Sequence, residues 1–205
     1  MNRLSFLIAR TLRREAVLAA LSIPQAELLA ELKGKRIALI GNARALADGL
    51  HGPGIDAHDL VVRINRAPMP GPESHGQRTD WLGLAVRLGA EDRARLSPSR
   101  YLWMSPKRKR LDWLTATSPG FYLHPREDYA RLRARIGAPP TTGAMLIELF
   151  SRSDMAGLTL YGFDFFASLS LSGHRTAAQV PHDFSAEARF VGDLMVQDRR
   201  IARVA

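Results

Sequence analysis

The feature that most constrains the fold is a series of short, almost wholly apolar runs separated by helical patterns. Arg36-Ile37-Ala38-Leu39-Ile40 leads straight into Gly41-Asn42 with no alternation of polar residues. A strand of that kind is buried on both faces, as in a parallel sheet covered by helices on either side. Similar runs recur at Leu60–Ile64, Trp81–Leu84, Tyr101–Met104, Phe121–Leu123 and Leu158–Tyr161. Between them, Arg126–Ile136 is charged and amphipathic, Thr142–Ser153 is apolar on most sides, and Ser185–Arg199 carries apolar Phe190, Val191, Leu194 and Met195. Strands alternating with helices predict an α/β fold, a single Rossmann-like domain with a mostly parallel twisted sheet flanked by helices.

The expected organisation is an N-terminal helical segment over residues 1–34 and a single α/β domain over residues 35–205. The first segment breaks near Ser22-Ile23-Pro24 and stops at Gly34. Its opening places Leu4, Phe6, Leu7 and Ile8 before Arg10, Arg13 and Arg14. A secretory signal has the reverse order, so the segment reads as a basic amphipathic helix. Such a helix packs on the domain or touches an anionic membrane surface, and packing is the preferred reading. No stretch approaches the ~20 apolar residues that span a bilayer. Gly49–Pro53, Pro68–Ser74 and Ala167–Pro181 read as loops, the last long enough for a lid. Internal repeats and low-complexity tracts are absent.

The chain has no cysteine. That excludes a disulfide scaffold, a thiolate zinc site, an iron–sulfur cluster and a cysteine nucleophile, and it fits a reducing compartment. A cytoplasmic location is therefore expected, with contact at the inner face of the membrane through the first helix as an option. The 29 basic and 20 acidic side chains leave +9, and only four of the cations are lysines. Lys107-Arg108-Lys109-Arg110 is the one concentrated run; elsewhere acids interleave. That pattern argues against a nucleic-acid-binding arm and leaves a solvated surface or a site for an anionic substrate.

Four segments are placed to touch a ligand, because ligands of parallel sheets bind at the carboxyl ends of strands. The first, Gly41-Asn42-Ala43, follows the first strand without the G-x-G-x-x-G dinucleotide pattern, and it serves a structural turn or a ligand contact. The second is Arg63-Ile64-Asn65-Arg66-Ala67-Pro68, where Asn65 caps a turn or offers a donor and an acceptor to a base or sugar. In the third, Thr141, Thr142 and Gly143 open an apolar helix, either as a simple cap or as a phosphate cradle. The fourth is His182-Asp183-Phe184-Ser185-Ala186-Glu187, where His182 is structural or acts as a base and Glu187 favours the helix dipole.

Taken in this order, the segments resemble the sialyltransferases of glycosyltransferase family 29. Arg36–Thr79 is similar to the family's large sialyl motif, through Ile40-Gly41-Asn42, Ile55-Asp56-Ala57-His58-Asp59, Arg63–Pro68 and Gly76-Gln77-Arg78-Thr79. Thr141-Thr142-Gly143 through Leu160-Tyr161-Gly162-Phe163 matches the small motif, and His182 with Glu187 matches the very small motif. The resemblance implies a modified GT-A sialyltransferase fold, a CMP-sialic acid donor, a glycan acceptor, inversion at the anomeric centre, and neither metal nor cofactor. Carried over residue by residue, Asn42, Ala43 and Asn65 would hold the nucleotide and its phosphate. Thr141, Thr142 and Gly143 would cradle ribose and phosphate, Gly162 and Phe163 would border the cytidine, and His182 would be the general base.

Three departures from the family pattern matter. Animal members join the large and small motifs by a disulfide, and the matching positions here are Ile37 and Met155, an apolar pair that suits a short prokaryotic version. The third motif is not recognisable, which leaves His174 as the nearby candidate for helping the departing phosphate. A short chain without a membrane anchor or stem leaves little to recognise the acceptor. A CMP-Kdo donor, and a non-catalytic or redirected nucleotide-binding protein of the same fold, are the alternatives.

Overall fold

The structure, a computed structural model, describes residues 1–164 and 182–204. Its strands are β1 (Arg36–Ile40), β2 (Leu60–Ile64), β3 (Trp81–Leu84), β4 (Arg100–Trp103), β5 (Tyr122–Leu123), β6 (Gly157–Tyr161) and β7 (Ile201–Arg203). They form one sheet in the order β5-β4-β3-β2-β1-β6-β7, and every neighbouring pair is parallel. The helices are α1 (Arg3–Thr11), α2 (Glu15–Ala19), α3 (Gln25–Ala30), α4 (Gly52–Asp56), α5 (Pro72–His75), α6 (Ala90–Leu96), α7 (Trp113–Ala116), α8 (Arg126–Ile136), α9 (Thr142–Ser151) and α10 (Phe184–Gln197). The expected α/β architecture is the observed one.

Both-face burial explains why the strands lack a polar side. Ile37 and Leu39 of β1 join one apolar cluster with Leu146, Phe150 and Val191 of α9 and α10. Ala38 and Ile40, on the opposite face, pack with Leu46, Ile55 and Tyr161. Farther along the sheet, Leu82, Leu84 and Trp103 face Phe6, Ala9 and Leu18 of α1 and α2. Each such large side chain removed from water contributes ~1.5–3 kcal/mol before the entropy of ordering is subtracted. Residues 1–34 thus cover parts of both faces, since Leu28 of α3 belongs to the cluster under α9.

The amphipathic reading of α1 holds for its inner face, where Phe6 and Ala9 are buried. Leu4, Leu7, Ile8 and Leu12 are exposed on the other side. No helix among the described residues is long and apolar enough to cross a membrane.

Ile37 and Met155, the positions matching the disulfide, are both buried in the same cluster. Their segments are joined by Gly34 N–H donating to Asp154 (2.8 Å) and Ala156 N–H donating to Lys35 (2.9 Å). Two differences from the sequence reading stand out. Gly49–Pro53 and Pro68–Ser74 are not wholly loops: α4 and α5 begin inside them, each with a proline in its first turn. Proline there has its φ pre-set and needs no N–H partner. Strand β7 had no expectation because only Ile201 of its three residues is buried. The third expected loop, Ala167–Pro181, read as long enough for a lid, falls outside the described residues.

Arg63 shows how β2 is locked to the chain that follows it. Its guanidinium, fully buried, donates to the carbonyls of His75 (2.6 Å) and Arg78 (2.8 Å) and to the Thr79 hydroxyl (3.1 Å). Burial pulls its pKa down to about 10. Asp56 accepts from the backbone N–H groups of Gln77 and Arg78, and a Cβ on Gly76 would lie 2.5 Å from its carboxylate. Replacing Arg63 by leucine leaves the buried His75 carbonyl and the partly buried Arg78 carbonyl without this donor, the buried one costing about 1–3 kcal/mol and the other less. Urea denaturation is expected to show the Arg63→Leu protein less stable by roughly 3 kcal/mol.

Candidate functional site

The chain builds outward from β1 through β2, β3 and β4 to β5, then crosses back through α9 to place β6 on the other side of β1. The direction of winding therefore reverses between β1 and β6. In open parallel sheets the crevice at such a reversal, beyond the carboxyl ends of the strands, is where ligands bind. Ile40 pairs with Arg63 on one side and Tyr161 on the other, so Asn42, Asn65 and Phe163 lie two residues beyond the same register level. Three segments far apart in sequence thus meet at one edge.

Close backbone approach holds the crevice together. Gly41 N–H donates to Tyr161 (2.7 Å) and Ala43 N–H to Gly162 (3.2 Å). A Cβ on Gly41 would lie 2.2 Å from the Gly162 carbonyl oxygen, so only glycine fits. Gly143, in the first turn of α9, is similarly constrained: an added Cβ would be 2.5 Å from the Phe163 ring. The absence of a side chain lets the N-terminus of α9 sit against the end of β6. Asn65 adopts φ of +54°, a left-handed conformation that asparagine tolerates better than most residues. Its Oδ1 accepts from Ala85 N–H (2.9 Å), so the oxygen is engaged within the protein.

Thr141 is the N-cap of α9, its Oγ1 accepting from Ala144 N–H (3.1 Å). Glu187 takes its remaining hydrogens: Thr141 N–H donates to Oε1 at 2.5 Å and the hydroxyl donates to Oε2 at 2.9 Å. Thr141 is therefore committed to Glu187, and the expected cradle is reduced to the backbone N–H groups of Thr142 and Gly143 in the first turn of α9. Glu187 is a residue whose role the sequence understated. It is 2% exposed, and it ties the start of α10 to the start of α9.

His182 immediately precedes Asp183, the N-cap of α10, whose carboxylate accepts from Ala186 N–H at 2.8 Å. Its Nδ1 lies 2.7 Å from the carbonyl oxygen of Pro139. A carbonyl only accepts, so Nδ1 carries the hydrogen, and in the neutral ring Nε2 is left with a free lone pair. The spacing of His182 and Glu187 now has a physical reason. From either side of one N-cap, the two side chains grip Pro139 and Thr141, two residues apart. The Pro139 contact gave no sequence signal, since it uses a backbone carbonyl. His174 lies outside the described residues. Among those described, no group of three or more His, Asp or Glu side chains is placed to hold a metal ion.

Burial pushes the Glu187 carboxyl up from 4.5 to about 7, against the pull of the two Thr141 hydrogen bonds. The folded state therefore keeps a proton that the unfolded chain releases near pH 4.5. The stability this contributes is complete below 4.5 and is lost as pH rises through 7. Relative to Glu187→Gln, the parent protein is expected to lose roughly 2–3 kcal/mol between those limits, read by denaturant unfolding at a series of pH values.

Comparison with known proteins shows the family to which the chain belongs. CMP-N-acetylneuraminate-beta-galactosamide-alpha-2,3-sialyltransferase 1 of Mus musculus is 48% identical over 46 residues, which are 22% of this chain and 14% of that protein. The Homo sapiens protein of the same name is 45% identical over 40 residues, 20% of this chain and 12% of that one. The matched segment thus spans a small part of either relative. Two crystal structures of a mammalian sialyltransferase, one in complex with Gal-beta-1-3GalNAc-ortho-nitrophenol, superpose with a TM-score of 0.58. At 21% and 22% identity, covering 83% of this chain and 69% of theirs, they share its fold. The family model for glycosyltransferase family 29 (sialyltransferase) matches residues 6–146, from α1 through the cap and first turn of α9. The chain belongs to that family.

Proposed function

We propose that this chain transfers sialic acid from CMP-sialic acid to a glycan hydroxyl, with inversion, in one displacement. The observation that carries the reading is the hydrogen bond from His182 Nδ1 to Pro139, beside the reversal crevice. It fixes the tautomer a base needs and keeps the ring next to the start of α9. The family supports the donor and the glycan acceptor.

In this reading the acceptor hydroxyl attacks C2 of the sialic acid while the bond from C2 to the phosphate oxygen breaks. The hydroxyl proton passes to His182 Nε2, and the bonding electrons leave on the phosphate of CMP. A positioned base contributes about 10²–10⁴-fold. The N–H groups of Thr142 and Gly143 and the Nδ2 of Asn65 offer hydrogen bonds to the departing phosphate, where charge builds up. Asn42 and Ala43 border the nucleotide, and Phe163, packed on Gly143, offers a ring edge to the cytosine. Direct displacement requires no protein nucleophile, and the reading assigns no step to a metal. The exposed apolar side of α1, flanked by Arg3, supports peripheral contact with an anionic membrane.

Calorimetry and product analysis test these roles separately. CMP is expected to bind the parent protein and His182→Ala alike, while His182→Ala loses about 10²-fold or more in transfer. Asn65→Ala is expected to weaken CMP binding. No CMP binding at millimolar concentration would contradict the reading. A second measurement addresses the metal: the transfer rate is expected to be the same with and without a chelator.

A further inference from the structure

A groove between the loop after β4 and one face of α8 lies outside the crevice described above. Two adjoining hollows of about 580 and 470 Å³ share Pro106, Arg126, Tyr129 and Arg133 in their walls. Volumes of this order suit a small ligand. Arg13, Lys107, Lys109 and Arg110 complete the wall of the second hollow, together with Arg108. Among the described residues, no acidic side chain lines either one. Six of these cations are exposed: Arg13, Lys107, Lys109, Arg110, Arg126 and Arg133. None of the six joins an ion pair among the described residues.

The groove is built on a fixed base. Arg108 is 2% exposed and donates to Glu15 (2.5 Å) and to the carbonyls of Ser105 (2.7 Å) and His124 (2.7 Å). This pins the basic loop to the chain just before α8. The buried acid of α8, Asp128, is engaged by Arg152, Arg131 and Gln25, so it does not neutralise the groove. Uncompensated like charges along a concave wall raise the local concentration of anions. Tyr129, half-buried among them and packed against the apolar core, lines both hollows.

Position assigns the occupant. Strands β4 and β5 are parallel to β1, so the loops after them open on the same edge of the sheet as the crevice. The groove extends to Gly137, and Pro139, two residues later, holds His182. Two residues of chain reach no more than ~7 Å. We propose that this groove is the acceptor subsite and that the acceptor is anionic, a glycan bearing phosphate or carboxylate. The proposal rests on the transferase reading above.

The test is calorimetry on the full chain with CMP present, comparing lactose, lactose 1-phosphate, inorganic phosphate and a thymidine oligonucleotide. Lactose 1-phosphate is expected to bind roughly tenfold or more tighter than lactose, through charge-assisted hydrogen bonds, and tighter than inorganic phosphate. The preference is expected to shrink with added salt. It should vanish in the double variant Lys109→Glu, Arg133→Glu, with CMP affinity and the urea midpoint unchanged. Equal binding of the two sugars, a preference that survives the double variant, or inorganic phosphate matching the sugar phosphate would overturn the proposal. So would tighter binding of the oligonucleotide, which would make this a nucleic-acid surface. CMP binding without the preference defeats the groove alone. A preference without CMP binding defeats the transferase reading and, with it, the acceptor role.

Discussion

The carboxyl edge of this sheet depends on one buried carboxyl group. Glu187 receives the backbone N–H and the hydroxyl of Thr141, and through them α10 is fixed to the cap of α9. Removing a carboxylate from water is costly unless its oxygens are hydrogen-bonded. Here the compensation comes from a single residue, which sets the mutual position of the two helix starts. Pro139 and His182 fall on either side of that joint, and the N–H groups of Thr142 and Gly143 follow it. The helix N-terminus, the histidine and the end of β6 are consequently parts of one assembly.

The residues that most resemble a sequence motif divide into two kinds of work. Asp56, Arg63, Gly76 and Arg78 hold backbone to backbone beneath the edge, and their hydrogen bonds are made within the protein. Asn42, Asn65, Gly143 and Phe163 meet at the reversal between β1 and β6. The long motif from Arg36 to Thr79 is therefore mainly a scaffold that places one asparagine in a left-handed conformation at the mouth of the crevice.

The sheet was legible wherever a strand is buried on both faces, because such strands have no polar alternation to confuse with a helix. Strand β7, with Ala202 and Arg203 exposed, carries no such signal. Helices α4 and α5 are hidden by the glycines and prolines that read as loop. At the site, the positions of Asn65, Thr141 and His182 were readable from strand and helix ends. What their polar atoms do was not. Asn65 Oδ1 is taken by Ala85, and both donors of Thr141 by Glu187. Such pairings cross 20 to 46 residues of chain, and no local pattern encodes them. The basic groove is a similar case. Lys107–Arg110 stood out as a run, but Arg126 and Arg133 read as an ordinary solvated helix face until the fold brought the two together.

The Pro139 carbonyl accepts from His182 Nδ1, and the proposed role as base therefore falls to Nε2. Nitrogen NMR of labelled protein, with the His182 signals assigned by loss in His182→Ala, reads that tautomer directly. A protonated Nδ1 and an unprotonated Nε2 are expected in the neutral ring, with CMP bound. A neutral ring carrying its proton on Nε2 would contradict it.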